Sequence, residues 1–113
     1  MKSKIVALSK NEEFKNLLKQ KKISNKYVTI FFGKLPNKDK KKLNISFSVK
    51  KKIAIAVKRN KIKRRLRQIF NDGIKQNLIK LEKSVLVIAH AAMLNNEYKI
   101  IKETLFKDFE KIK

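Results

Sequence analysis

The sequence predicts an α+β fold, a two-layer sandwich in which helices pack against one small sheet. Leu43–Val49 alternates between apolar and polar residues, which is typical of a strand with one buried face. The unbroken apolar run Val85–Ala91 predicts a strand that is buried on both faces. Apolar residues elsewhere recur at helical spacing, as at Ile62, Leu66, Ile69 and Phe70. Since the 113 residues contain neither a repeat nor a linker, we expect a single domain, 1–113.

The first element is predicted to be a helix, and the second a strand. Ser9 and Glu12 form a capping box, S-x-x-E, which marks a helix start. The apolar side chains that follow at helical spacing are Phe14, Leu17 and Leu18. After a polar break at Lys19–Lys26, the β-branched and aromatic run Tyr27–Phe32 predicts a strand with apolar residues on both faces.

The middle of the chain combines turn signals with a second helix. Gly33–Lys42 holds a glycine, the only proline, an asparagine and an aspartate, and predicts an exposed loop. Lys50–Val57, with the sequence KKKIAIAV, fits either a short third strand or an ordered loop. The second helix is expected to begin near Asn60 and to extend to Ile74, and Asn71–Gly73 is a candidate for a kink or a frayed end.

A last helix is predicted at the end of the chain, capped by Asn95 or Asn96. Its core stripe comprises Tyr98, Ile101, Leu105, Phe109 and Ile112. The order that the residues predict is therefore helix, two or three strands, helix, strand and helix.

Positive charge dominates the composition. Thirty-one Lys and Arg stand against nine Asp and Glu, so the formal net charge is +22. Self-repulsion of this size opposes folding, which indicates a polyanionic partner. Nucleic acid is the leading candidate for that partner, and an anionic membrane surface is the lesser one.

Residue types that support chemistry are scarce. There is no cysteine, which excludes thiolate chemistry and disulfides and fits a reducing, cytoplasmic setting. The single histidine, His90, lies in an apolar run and is expected at a strand end or in the core. The uncharged run Ser84–Asn96 is shorter than the ~20 residues that span a bilayer, so we expect a soluble protein without a membrane partner. No catalytic side chain and no metal site are predicted.

Seven of the ten residues from Lys58 to Arg67 are basic, and the four arginines of the chain all lie there. At about 100° per residue, Lys61, Arg64, Arg67 and Gln68 are predicted to point away from the core, with Lys63 and Arg65 beside them. Arg59 and Asn60 are placed at the helix start, where cations oppose the helix dipole. Guanidinium groups bind phosphate with two hydrogen bonds, which favours an anion site over a merely solvated helix face.

The segment SVKKKIAIAVKRNKIKRRLR, from Ser48 to Arg67, resembles the bacterial ribonuclease P protein component. That family carries a strand ending in S-V-S-K-K, followed by A-V-x-R-N-R-I-K-R-x-x-R. The opening LSKNEEFKNLLK is also similar to the first helix of the family. The chain departs from the pattern at Lys50, at Ala54-Ile55 in place of Gly-Asn, and at Lys61 in place of an arginine.

The resemblance implies an accessory subunit of an endoribonuclease whose catalytic unit is an RNA. The protein would assist removal of the 5′ leader from precursor tRNA. It would bind no cofactor and no small-molecule substrate itself, and Mg²⁺ would act through the RNA. The implied order of elements is αβββαβα, with a left-handed crossover between two parallel strands of a small mixed sheet. Residues implied to bind the ribozyme RNA are Arg59, Asn60, Lys61, Lys63, Arg64, Arg65 and Arg67.

The resemblance also implies a cleft for the precursor-tRNA leader between the first helix and the sheet. The residues that it points to are Phe14, Leu18, Tyr27 or Phe31, Ser48 and Lys51. Aromatic side chains beside cations are typical of single-stranded RNA sites. Whether Phe14 and Phe31 line a cleft or only fill the core is left open by the sequence.

The main alternative is a ribosomal or other structural RNA-binding protein, which would share the charge without needing a leader cleft. A DNA-binding module is less favoured, because the basic helix offers phosphate-binding rather than base-reading side chains. A membrane-surface helix would need an exposed apolar face, which the sequence does not predict.

Overall fold

A computed structural model describes residues 5–8, 11–35, 42–79, 81 and 83–112 of the chain. The elements in order are β1 Ile5–Ala7, α1 Asn11–Leu18, β2 Lys21–Ser24, β3 Val28–Gly33, β4 Leu43–Ser48, α2 Ala56–Lys75, β5 Ser84–Ala89, a 3₁₀ turn Ala91–Leu94 and α3 Tyr98–Phe109. The predicted α+β class is confirmed. From α1 onward the order is αβββαβα, as the resemblance implied, with β1 added before it.

The strands form one mixed sheet in the order β1-β4-β5-β3-β2. Strand β5 is central, parallel to β4 and antiparallel to β3, and it is buried along nearly its whole length, as its apolar run predicted. Strand β1 lies at one edge, parallel to β4, and β2 lies at the other, antiparallel to β3. Helix α2 connects the parallel pair β4 and β5. The left-handed sense of this crossover stays a prediction.

The main core lies between one face of the sheet and the helices α2 and α3. The predicted stripe of α2 is buried, comprising Ile62, Leu66, Ile69, Phe70 and Ile74. The stripe of α3 is buried at Ile101, Leu105 and Phe109, and Ile112 beyond its end is buried too. Val28, Ile30 and Phe32 of β3 meet these helices from the sheet. The helical and strand periods of the sequence therefore placed this core correctly.

Among the described helices, the short helix α1 is the one that packs on the second face of the sheet. A separate apolar cluster holds it there, with Leu8, Leu17 and Leu86 buried at its centre. Phe14, Phe31, Leu35 and Ile88 pack around that centre and stay partly exposed. Because a helix of eight residues covers little of a five-stranded sheet, part of this face remains open to solvent.

Two of the expected boundaries were wrong, and one strand was missed. The polar segment Lys19–Lys26 contains β2, whose side chains are largely exposed because it is an edge strand, so it lacks the apolar signal. For Lys50–Val57 the ordered-loop alternative is confirmed up to Ile55, where the N–H of Ile53 donates to the carbonyl of Lys50. Helix α2 begins at Ala56, four residues before the expected start near Asn60. Strand β1 was missed because three residues are too short for a pattern.

The expected helix ends also need correction. Helix α3 is preceded by Glu97 rather than by Asn95 or Asn96, and no side chain caps it. Instead, Asn96 donates to the carbonyl of Ala92 in the preceding 3₁₀ turn. Helix α2 runs through Gly73 without a break. Ser9 of the predicted capping box, and residues 36–41 of the predicted loop, lie outside the described residues. None of the helices in the described part of the chain is long and apolar enough to cross a membrane.

Candidate nucleic-acid interface

The first half of α2 presents a cationic face, which we define as Lys58, Arg59, Lys61, Lys63, Arg64, Arg65 and Arg67. Lys61, Arg64 and Arg67 are exposed, and Lys63 and Arg65 beside them are half-buried. This is the arrangement that the helical period predicted. Burial of Ile62, Leu66 and Ile69 fixes it, because that stripe can face the core in only one rotation of the helix.

Two grooves run along the sides of this helix. One has a volume of about 290 Å³ and separates α2 from the 3₁₀ turn, and its lining comprises Lys58, Lys61, Ile62, Arg65, Met93, Leu94 and Asn96. The other has a volume of about 190 Å³ and separates α2 from the sheet edge, and its lining comprises Ile5, Ala7, Ile45, Ser46, Phe47, Lys63 and Arg67. Cations therefore line both sides of α2 as well as its outer surface.

The cationic face has no acidic counterpart among the described residues. No Asp or Glu occurs in the sequence between Asp39 and Asp72. Asp72 lies near the far end of α2, where it accepts a hydrogen bond from Lys102 Nζ at 2.9 Å. Within the described ranges, no member of the cationic face forms an ion pair, and Arg59 donates to the carbonyl of Ala54 at 3.3 Å. These charges are therefore available to an external anion.

The start of α2 differs from the sequence prediction. Ile55 is the N-cap residue, and its side chain cannot accept a hydrogen bond from the first turn. The N–H of Arg59 makes the first helical backbone bond, to the carbonyl of Ile55 at 2.9 Å. Because α2 begins at Ala56, the unfavourable dipole interaction applies mainly to Lys58 and Arg59, since it falls off within the first turn. Asn60 and Lys61 lie in the second turn.

The register of the sheet defines a row of side chains on the face beside α1. Ser24 pairs with Thr29, Thr29 with Ile88, and Ile88 with Ser48, so these four residues share one face. We call Ser24, Thr29, Ile88 and Ser48 the open row. Ser24 and Ser48 are exposed and the other two are half-buried. The row therefore offers a floor of short polar side chains around one aliphatic residue.

Helix α1 packs on the middle of the neighbouring row of the same face. This row consists of Lys22, Phe31, Leu86 and Ser46. Phe31 and Leu86 belong to the apolar cluster that also contains Phe14 and Leu17 of α1. Lys22 Nζ lies 6.0 Å from the centroid of the Phe31 ring, within cation–π range. A groove wall of partly exposed aromatic residues thus stands beside the open row.

The residues implied for leader binding do not all meet. Phe14 and Phe31 share the cluster under α1, and Leu18 at the end of α1 is 49% exposed. Ser48 ends β4 in the open row, and Lys51 is exposed in the turn that follows. Tyr27 belongs to the main core and is only 4% exposed, which separates it from the other residues.

Sequence reasoning missed Ser24, Thr29 and Ile88 as site candidates. Thr29 connects Ser24 to His90, because its Oγ1 lies 2.8 Å from His90 Nε2 and 3.1 Å from Ser24 Oγ. His90 directly follows β5, which agrees with the predicted strand-end position. The alternation that groups Thr29 with Phe31 was a usable signal, but the pairing across strands needed the fold. Among the residues that the structure describes, no group of three His, Asp or Glu side chains could hold a metal ion.

Comparison with known proteins agrees with this geometry. The sequence model of the Ribonuclease P family matches residues 3–113. The chain belongs to the ribonuclease P protein family. The ribonuclease P protein component of Mycoplasma mycoides subsp. mycoides SC is 33% identical over 113 residues, which cover both chains completely. That of Bacillus pumilus is 38% identical over 106 residues, which cover 92% of this chain and 85% of the relative.

Solved structures of the family share the fold. The ribonuclease P protein of Thermotoga maritima superposes with a TM-score of 0.79 at 23% identity, covering 96% of this chain and 98% of its own. That of Staphylococcus aureus superposes with a TM-score of 0.76 at 27% identity, covering 94% and 95%. This chain therefore shares the fold of the family, and the protein is a component of an RNA-processing nuclease.

Proposed function

We propose that this chain binds the RNA subunit of ribonuclease P through the cationic face of α2 and the 5′ leader of precursor tRNA beside α1. In this role it assists the endonucleolytic removal of the leader. The observation that carries the proposal is the cationic face itself, whose members lack ion pairs within the described residues. Membership of the family supports the same conclusion.

The chemistry of the cationic face favours an RNA backbone. Arg64 and Arg67 are exposed on α2, and each guanidinium can donate two parallel hydrogen bonds to one phosphate. Lys63 with Arg67, and Lys58 with Arg65, line the two grooves on opposite sides of the helix. An A-form RNA presents phosphates on two strands, so cations on both sides of one helix suit it. Asn60 and Lys61 extend the same contact surface toward the helix start.

The leader is proposed to lie along the open row, against the wall formed by α1. Single-stranded RNA is commonly bound by stacking of bases on aromatic rings and by cations along the backbone. Phe14 and Phe31 supply partly exposed rings, and Leu18 extends the wall with an exposed apolar side chain. Ser48 leaves room for a backbone to approach, with Lys51 beside it. Because Tyr27 is buried in the main core, the proposal gives the aromatic role on β3 to Phe31.

The catalytic step is assigned to the RNA subunit and not to a side chain of this protein. In this proposal His90 and Asp72 have structural roles, since His90 is hydrogen-bonded to Thr29 between two strands and Asp72 to Lys102 between two helices. In this proposal, Mg²⁺ is bound by phosphates of the RNA, and the protein works in the cytoplasm. A protein with this charge would favour assembly by reducing the repulsion between two polyanionic RNAs.

The deciding experiment measures cleavage of precursor tRNA by a ribonuclease P RNA at low magnesium, with and without the protein. We expect the protein to restore cleavage at the leader junction, because its cations replace part of the screening that magnesium supplies. A precursor with a single-nucleotide leader serves as the matched control, and the protein should stimulate its cleavage less. A ribosomal or structural RNA-binding protein would bind the RNA without stimulating cleavage, and that result would reject the proposal.

A further inference from the structure

Two apolar side chains stand exposed at the start of the cationic face. Ile55 is 68% exposed and Val57 is 74% exposed, and both exceed the other exposed large apolar side chains of the described residues, Leu18 and Ile100. Neither packs against the main core. Ile55 also occupies the N-cap of α2, where a polar side chain would stabilise the helix. Neither side chain is therefore placed to stabilise the free protein.

The helical period places Val57 on the outermost line of α2. Val57, Lys61, Arg64 and Gln68 are spaced by four, three and four residues, so they lie one above another on the side opposite the buried stripe. Lys61, Arg64 and Gln68 are all exposed. A partner that covers Lys61 and Arg64 must therefore approach Val57 as well. Val57 is therefore continuous with the proposed RNA interface, and Ile55 lies two residues before it, at the N-cap beside the first turn of α2.

Charge decides which partner fits. The sequence around the pair, from Lys40 to Asn71, contains no acidic residue, so the surface attracts a polyanion. A second copy of this chain carries the same net charge of +22 and would be repelled. A membrane would require an apolar face along the helix, but the outermost line continues with Lys61, Arg64 and Gln68. RNA is the partner that remains.

The apolar pair also selects one part of the RNA. Phosphates gain nothing from aliphatic side chains, and the base faces of a duplex are hidden in the stack. An unstacked base in a loop or bulge exposes a face that can pack on Ile55 and Val57, while Lys58 or Lys61 holds a neighbouring phosphate. We propose that Ile55 and Val57 form a contact for one unstacked nucleotide of the ribonuclease P RNA. This inference rests on the proposed function of α2.

The test compares the salt dependence of RNA binding for the wild type and for the double variant Ile55→Thr, Val57→Thr. We expect the Kd for ribonuclease P RNA to rise about tenfold, since two aliphatic side chains that the RNA would partly bury are replaced. The slope of log K against log salt should stay unchanged, because no phosphate contact is removed. For a fully paired RNA duplex, the two proteins should bind equally. Ile100→Thr changes another exposed aliphatic residue, on α3, and should leave every value unchanged.

Several outcomes would overturn the inference. They are a constant Kd for the ribozyme RNA, an equal rise in the Kd for the duplex, and a rise in the Kd together with a smaller salt slope. Loss of binding to phosphatidylglycerol vesicles with unchanged RNA binding would point to a membrane instead. Circular dichroism checks that the variant is folded, which is expected because both residues are exposed. If the wild type itself neither binds ribozyme RNA selectively nor stimulates cleavage, the proposed function has failed, whatever the variant does.

Discussion

Gly73 of α2 lies against the ring of Phe109 of α3, so closely that a Cβ on Gly73 would stand 2.7 Å from Phe109 Cε2. Both residues are buried, and the centroid of the Phe109 ring lies 4.8 Å from that of Phe70, with the two rings tilted by 46°. The sequence suggested that Gly73 would bend or end the helix. In the structure Gly73 instead allows α2 and α3 to pack closely, because it has no side chain at the point where the Phe109 ring contacts α2. The glycine is thus part of the core that supports the cationic face.

We expect Gly73→Ala to destabilise the protein. The clash with a fully buried ring costs about 1–3 kcal/mol, whereas the gain in helix propensity is about 1 kcal/mol, so the clash prevails. Urea unfolding should show a net loss of about 1 kcal/mol. The double variant Gly73→Ala, Phe109→Leu should be more stable than the sum of the two single changes predicts. Strict additivity would mean that the two residues do not compete for space.

Ile55→Asn should stabilise the free protein by about 1 kcal/mol, because asparagine can accept a hydrogen bond from the uncapped first turn of α2. The extended backbone of Ile55, with φ −67° and ψ 164°, suits an N-cap residue without change. Thermal or urea unfolding checks this, with Ile55→Ala as the control that shortens the side chain without adding a cap. An equal effect of both substitutions would contradict the capping explanation.

The pair Asp72 and Lys102 should give the stability a defined pH dependence. The hydrogen bond from Lys102 lowers the pKa of Asp72 below its usual 3.8, and the same bond raises the pKa of Lys102 above 10.5. The contribution of Asp72 is therefore fully present above pH 3.8 and is lost as the pH falls through its lowered folded pKa. That of Lys102 is lost as the pH rises through its raised folded pKa.

Urea unfolding of Asp72→Asn at pH 7 and at pH 2 tests this assignment. The variant should be less stable than the wild type at pH 7, and the difference should shrink at pH 2. The effect should be modest, because both side chains are partly exposed. Glu103→Gln removes an exposed carboxylate from α3 and serves as the control. A difference that is the same at both pH values would show that the ion pair is not its source.

Arg64→Ala combined with Arg67→Ala should weaken ribozyme RNA binding and reduce its salt slope. Each lost phosphate contact lowers the slope by about 0.7–0.9, so the pair should lower it by roughly 1.4–1.8. Lys75→Ala with Lys107→Ala removes two exposed cations outside the cationic face and should change the slope much less. Equal slopes for the two double variants would mean that only total charge matters.

Phe14→Leu should keep holoenzyme assembly and reduce the preference for leader-bearing substrate. Leucine can still fill the cluster around Leu17, but it cannot stack on a base, and such stacking is worth about 1–3 kcal/mol. Binding of precursor and mature tRNA to the holoenzyme measures the preference. Phe106→Leu replaces another half-buried phenylalanine, on α3, and should leave it unchanged. Unfolding of Phe14→Leu would assign Phe14 to the core alone.

The sequence by itself determined the elements that repeat a physical period over many residues. The stripe from Ile62 to Ile74 fixed the rotation of α2, and the alternation in Leu43–Val49 fixed the faces of β4. Charge and the arginine-rich segment indicated a polyanion before any fold was known. These features could be predicted because an apolar period and a net charge depend on the residues of the segment itself and not on which segments it contacts in the fold.

Only the tertiary structure decided which separated residues meet. Strand β2 forms because β3 offers it an edge, although its own residues are polar and exposed. The open row joins Ser24, Thr29, Ile88 and Ser48 from four strands, and no local pattern contains that register. Tyr27 belongs to the same alternate set as Phe31 and yet lies in the main core. It precedes the first residue of β3, Val28, so the alternation of side chains along the strand does not apply to it. Pairing across a sheet depends on contacts between residues that are distant in sequence, so no local pattern predicts which residues become neighbours.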